Sequence, residues 1–209
     1  MTRKIHRIVL AVALVLAIEA GFWYREFLFS LFVPPPAPRA PYDRGGWATK
    51  VDAPPLENFY RVTPGLYRGA QPDAAGMRKL KELGIKTVVN LRLLHSDADE
   101  IGALDLASEH IRIDTLKPEM DELVRFLRIA TDPNRAPVFV HCMRGIDRTG
   151  LAVAVYRIVV CGWTKAKAED EMINGPFGHD SLFPNIQAFL EKLDVDELRR
   201  RVKEGQKVK

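Results

Sequence analysis

The chain has 209 residues, 47% of them hydrophobic and 28% charged. That composition excludes a wholly disordered or collagen-like chain, and two cysteines exclude a disulfide scaffold. The net charge of +4 does not indicate a nucleic-acid binder: residues 1–41 carry +3, residues 199–209 carry +5, and the body between them is net −4. A nucleic-acid surface would place its basic face on the folded domain.

Residues 1–33 open with the basic cap Arg3, Lys4, His6, Arg7, followed by an unbroken apolar run from Ile8 to Ile18. Two readings fit. One is a single membrane anchor over Ile8–Tyr24, with Trp23 and Tyr24 at the interface. The other is a signal peptide, secreted chains being cut after such a run, although Ile18-Glu19-Ala20 makes a poor cleavage site. Basic residues favour the cytoplasmic side, so the anchor places the catalytic body outside the cytoplasm, in the periplasm. Residues 34–57 begin Pro34-Pro35-Pro36 and read as a stiff linker.

Residues 58–198 read as one α/β domain, a mostly parallel central sheet flanked by helices, and residues 199–209 as a basic C-terminal tail. In chain order, Phe59–Val62 and Leu66–Arg68 are predicted strands around the turn Thr63-Pro64-Gly65. Asp73–Leu83 has helical spacing and stops at Gly84. Lys86–Leu91 is an apolar strand run, Asp97–Glu109 a second helix and Ile111–Ile113 a strand. Pro118–Ala130 is predicted helical, Pro137–His141 a strand, and Thr149–Cys161 a helix ending at Gly162. Thr164 is an N-cap for Lys165–Asn174, and a last amphipathic helix covers Asn185–Lys203.

The chemistry concentrates in His141-Cys142-Met143-Arg144-Gly145-Ile146-Asp147-Arg148-Thr149-Gly150. A Cys at the end of a buried parallel strand sits at the carboxyl edge of the sheet, where open α/β sheets place their sites. Loop amides and a helix N-terminus make an anion site, and the same field favours a thiolate. Gly145 and Gly150 permit backbone conformations and close approach. The planar fork of Arg148 matches two phosphate oxygens, and Thr149 can donate to the sulfur. Five residues between Cys142 and Arg148 let the loop wrap one phosphate-sized dianion.

This run resembles the H-C-x5-R-[ST] signature of cysteine-dependent protein tyrosine and dual-specificity phosphatases. Gly65-Leu66-Tyr67-Arg68-Gly69-Ala70-Gln71-Pro72 and Val89-Asn90-Leu91-Arg92 are similar to the opening strands of the small atypical members of bacteria, fungi and plants, so the resemblance spans Asn58 to Asp194. It implies a two-step mechanism without metal or cofactor. The Cys142 thiolate forms a cysteinyl-phosphate; Arg148 and the loop from Met143 through Arg144, Gly145, Ile146 and Asp147 to Thr149 bind the phosphate oxygens. A carboxylic acid protonates the leaving oxygen. Asp114, 28 residues before Cys142 and just after a predicted strand, is the first choice for that acid; Asp147 inside the loop is the second, with either an acid or a loop-shaping role.

The expected substrate is a phosphotyrosine or other phosphoprotein, the alternative an inositol phosphate or phospholipid. A rhodanese-like sulfurtransferase is disfavoured by the five-residue spacing, and an inactive binding module by the intact Cys142 and Arg148. Cys161 reads as a core residue, His141 as a loop-orienting one. His95, His110 and His179 lack metal-ligand spacing.

Overall fold

The computed structural model describes residues 45–178 and 184–206. The apolar segment 1–33, the linker prolines from Pro34 to Pro41, His179 and Lys207–Lys209 lie outside the described residues. Among the described residues no helix is long and apolar enough to cross a membrane.

Six strands form one sheet in the order β1-β2-β3-β6-β4-β5. They are β1 (Thr49–Lys50), β2 (Tyr60–Thr63), β3 (Leu66–Gly69), β4 (Thr87–Asn90), β5 (Ala107–His110) and β6 (Val138–His141). The first three pair antiparallel, while β3, β6, β4 and β5 run parallel. Side chains alternate across a strand, and here both faces are covered. Val89, Val138 and Val140 enter the larger core beneath helices α3 (Met120–Ala130), α4 (Asp147–Val159), α5 (Lys165–Asn174), α6 (Pro184–Lys192) and α7 (Val195–Gln206). Val88 and Phe139 enter a smaller core beneath α1 (Ala74–Glu82) and α2 (Ala98–Ile101).

The sheet reaches further upstream than the expected boundary at Asn58. β1 pairs with β2, and Ala48 and Ala53 are buried. The expected cap Thr164 accepts from Lys167 N at 3.1 Å, and Asp73 caps α1, accepting from Gly76 N at 2.7 Å.

Four expectations are corrected. The helix predicted for Asp97–Glu109 is a single turn, stopped at Gly102 with φ +53°, and Ala107–His110 is instead an edge strand. Its sequence, Ala-Ser-Glu-His, has little strand propensity; parallel pairing with β4, from Thr87↔Ala107 to Asn90↔His110, overrides it. The predicted strand Ile111–Ile113 lies just past β5, its two isoleucines buried in the larger core. Helix α3 starts at Met120 instead of Pro118, because Glu119 and Glu122 close a capping box there. The last helix is two, because Asp194 interrupts it and caps α7, accepting from Asp196 N and Glu197 N at 3.1 and 3.0 Å. Helix α7 also takes in residues 199–206 of the expected tail and buries Leu198 and Val202.

Parallel pairing lines up the strand ends. Gly69, His141, Asn90 and His110 form one row across the sheet. The residues that follow them therefore meet at the carboxyl edge, where the predicted loop leaves β6.

Candidate active site

Cys142 follows directly on β6 and is buried, and α4 begins at Asp147, so the loop between them is very short. Its shape follows from where its carbonyls go. His141 Nδ1 lies 3.2 Å from Cys142 O. Gln71 N donates to Met143 O at 3.1 Å and Gly150 N to Ile146 O at 2.6 Å. Asn58 Nδ2 donates to Arg144 O at 2.9 Å, and Arg68 donates to Gly145 O at 2.7 Å. Five successive carbonyls are thus anchored away from the loop's hollow. In a trans peptide the C=O and the following N–H point in opposite directions, so the amides of Met143 to Asp147 turn inward around the thiol. Helix α4 adds the positive end of its dipole.

Gly145 has to be glycine twice over. Its φ is +72°, and a Cβ there would run into the Gly69 carbonyl and sit 2.8 Å from Ala70 N. That contact seats the loop on the end of β3.

Arg148 lies in the first turn of α4, half-buried, and its Nε is buried without a hydrogen-bond partner among the described residues. With Met143, Arg92, Leu93, Leu94 and His95 it lines a cavity of about 310 Å³ at the loop's mouth. A larger cavity, about 580 Å³, lies between α3, the turn before β6 and Gly205. None of its lining residues belongs to the loop, and Arg125 and Arg135 there are both bound to Glu109.

Beneath the loop sits a buried pair. His141 Nε2 is 2.9 Å from Asp97 Oδ2, both side chains being fully buried. The other oxygen of Asp97 accepts from Asn90 Nδ2 at 2.7 Å and Gln71 Nε2 at 3.0 Å. Burial alone would raise the Asp97 carboxyl, but the hydrogen bond and charge of His141, with Gln71, outweigh it and hold the group below its ordinary range. Both His141 nitrogens are engaged, Nε2 with the Asp97 carboxylate and Nδ1 with the Cys142 carbonyl. His141 therefore orients the loop and has no ring nitrogen left to serve as a base.

The structure gathers Cys142, Met143, Arg144, Gly145, Ile146, Asp147, Arg148 and Thr149 into this one cradle, but in different postures. Thr149 is fully buried and its hydroxyl makes no hydrogen bond among the described residues, so the expected bond to the sulfur is not formed. The helix starts two residues earlier than the sequence implied, which puts Thr149 inside the first turn instead of at its entrance. Asp147 is 8% exposed; one oxygen is buried, the other lies 3.4 Å from Arg144. Asp114 stands apart in the segment between β5 and α3, half-buried, where its Oδ1 accepts from Leu116 N at 2.9 Å. Glu119 and Asp121 are turned away, to the α3 cap and to Arg201.

The sequence alone missed Asp97, Asn58, Arg68, Gln71 and Asn90. Three of them lay inside runs already singled out, Gly65–Pro72 and Val89–Arg92. Asp97 and Asn58 gave no local signal, since they act across 44 and 86 residues. His95 also proves to be close to Asp97 and Glu100. Its Nε2 is bonded to Glu100 Oε1 at 3.0 Å and both Asp97 oxygens are occupied, while Glu100 Oε2 is buried without a hydrogen-bond partner among the described residues.

A cradle sized for one dianion and closed around a thiol is the working part of the cysteine-dependent phosphatases. The family profile described as "DSP-PTPase phosphatase fused to NAD+ Kinase" matches residues 60–180. The chain is 37% identical over 175 residues to the dual specificity protein phosphatase TpbA of Pseudomonas aeruginosa, covering 81% of this chain and 75% of that protein. A crystal structure of P. aeruginosa TpbA, its Cys replaced by Ser and in complex with pTyr, matches with a TM-score of 0.69 at 34% identity, covering 78% of this chain and 99% of that one. An inositol diphosphatase of Arabidopsis thaliana is 26% identical over 160 residues, covering 72% of this chain and 76% of that protein. The chain belongs to the dual-specificity and tyrosine phosphatase family and is a cysteine-based phosphatase.

Proposed function

We propose that the protein hydrolyses phosphotyrosyl side chains, with Cys142 as nucleophile and Arg148 as the bidentate clamp on the phosphate. The observation that carries the assignment of residues is the set of five outward-anchored carbonyls, which leaves a ring of amides around one thiol. Thiolate sulfur attacks phosphorus, the P–O bond to the leaving group breaks, and the phosphoryl group rests on sulfur. Water then displaces it. The equatorial oxygens stay within reach of the amides and Arg148 as charge moves through both steps.

The rim of the cavity supports an aromatic ester. Leu94 is 93% exposed and Met143 61%, and Leu93 stands beside them. Apolar side chains exposed at the mouth of an anion site fit the ring that carries the phosphate. The relationship to inositol diphosphatases supports a second reading, a soluble inositol phosphate. Such a substrate calls for cations around the mouth, where among the described residues Arg92 and Arg148 stand beside His95, Arg144 being drawn to Asp147. One panel separates the two: phosphotyrosyl, phosphoseryl and phosphothreonyl peptides, soluble inositol phosphates and phosphoinositide vesicles on the same enzyme. We expect kcat/KM to be highest for the phosphotyrosyl peptide. A higher value for an inositol phosphate would reverse the order of the readings.

Asp114 is our choice for the general acid. It is partly open to solvent at the carboxyl edge of the sheet, whereas the Asp147 carboxylate is buried and turned to Arg144, a loop-shaping posture. With an alkyl phosphate, whose leaving group needs a proton, Asp114→Asn should lower kcat about 10²-fold or more and remove the basic limb of the pH profile. Asp147→Asn should keep that limb. If the limb vanishes in Asp147→Asn and survives in Asp114→Asn, the two roles are exchanged.

A further inference from the structure

Strand β3 delivers to the loop a side chain that the mechanism above leaves idle. Arg68 is the largest of the side chains that the fold buries completely. One of its nitrogens donates to Gly145 O at 2.7 Å, and its Cζ lies 3.7 Å from the centre of the Phe177 ring. Its Nε and NH1 are buried without a hydrogen-bond partner among the described residues. A guanidinium in that condition is costly, since it has lost water and gained no carboxylate.

The nearby acid does not answer it. Both oxygens of Glu171 are held by Arg157, at 2.8 Å each. Burial pulls the Arg68 guanidinium below its ordinary value, to about 10, and the charges that oppose this are those of Glu171, then Cys142, then Tyr60. With Glu171 already bonded twice to Arg157, the acidic side chains left to act on Arg68 are Cys142 at the start of the loop and Tyr60 on β2. The other titratable or charged groups at this place are the His141–Asp97 pair, Arg148 on α4, Arg157 on α4 and Tyr60 on β2.

We propose that Arg68 is a positioning residue for catalysis: from beneath the loop it fixes the Gly145 carbonyl outward, and its charge holds Cys142 as the attacking thiolate. A neutral side chain of the same length would suit the fold better and the chemistry worse. The proposal rests on the cysteine mechanism above.

The test is the rate at which iodoacetamide alkylates Cys142 between pH 4 and 9, in a Cys161→Ser background, for the parent and for Arg68→Met, Arg68→Gln and Arg68→Lys. Loss of the charge should move the midpoint of the alkylation curve upward by about one pH unit or more, making alkylation near pH 6 roughly tenfold slower. Arg68→Lys should recover most of that shift while kcat stays low, because a single ammonium lacks the fork. Thermal unfolding reports whether each variant folds. An unchanged midpoint in a folded neutral variant would reduce Arg68 to a brace for Gly145 and overturn the proposal. So would the unfolding of both neutral variants while Arg68→Lys folds. If alkylation of the parent leaves activity intact, the cysteine mechanism itself fails, and that outcome is read separately from the position of the midpoint.

Discussion

Cys142→Ser is expected to abolish turnover, by at least ~10⁴-fold in kcat, which corresponds to about 5.4 kcal/mol of barrier. The hydroxyl is a poorer nucleophile than the thiolate, and the histidine beside it is not free to activate it. In serine enzymes a histidine takes the proton. Here His141 is committed, its Nε2 to Asp97 and its Nδ1 toward the Cys142 carbonyl. The cradle is held by backbone partners and by Asn58, Arg68 and Gln71, none of which the substitution touches. Phosphate should therefore still raise the melting temperature of the variant, as any ligand of the folded state does, while hydrolysis of an aryl phosphate in the presence of a chelator falls to background. Turnover within tenfold of the parent would end the cysteine mechanism. Loss of the phosphate-induced thermal shift together with activity would show that the loop had collapsed and that the sulfur was part of its structure.

The loop was legible because its chemistry is local. Cysteine, glycines and arginine fall within nine contiguous residues, and strand, loop and helix are fixed by neighbours in sequence. The strands β4 and β6 were legible for a related reason: buried on both faces, they read as unbroken apolar runs. β5 was not, because an edge strand of Ala-Ser-Glu-His owes its conformation to the ladder it joins. The supports of the loop were hidden for the same reason. Asn58 holds Arg144, and Asp97 holds His141, through contacts that only the folded chain makes. Arg68 carried a misleading signal, since an arginine in a strand reads as solvent-facing and this one is wholly buried.

Glu171→Ala is expected to remove about 3–5 kcal/mol of stability, a large part of the 5–15 kcal/mol typical of a domain. Glu171 is 1% exposed and Arg157 3%. The carboxylate meets the guanidinium through two bonds of 2.8 Å and also accepts from Ala48 N at 2.6 Å. Arg157 reaches the Val62 carbonyl at 3.2 Å and lies 4.3 Å from the Trp163 ring. Taking away the acid leaves a buried cation with one carbonyl and an aromatic face, and orphans an amide at the start of the sheet. Removal of a single partner is what makes buried pairs costly to break; replacement of both by apolar residues of similar volume is often neutral. The double substitution Arg157→Met with Glu171→Leu should accordingly recover most of the loss. Urea unfolding decides it: the midpoint should fall in Glu171→Ala and return in the double variant, with the slope unchanged in both. A loss below about 1 kcal/mol in the single variant would mean that water or a rearranged neighbour solvates Arg157 and that the pair contributes no more than a surface one. The pair also bears on the site, because Glu171 leads the charges that oppose the desolvation of Arg68. In Glu171→Ala the guanidinium beneath Gly145 is left still more dependent on the sulfur above it.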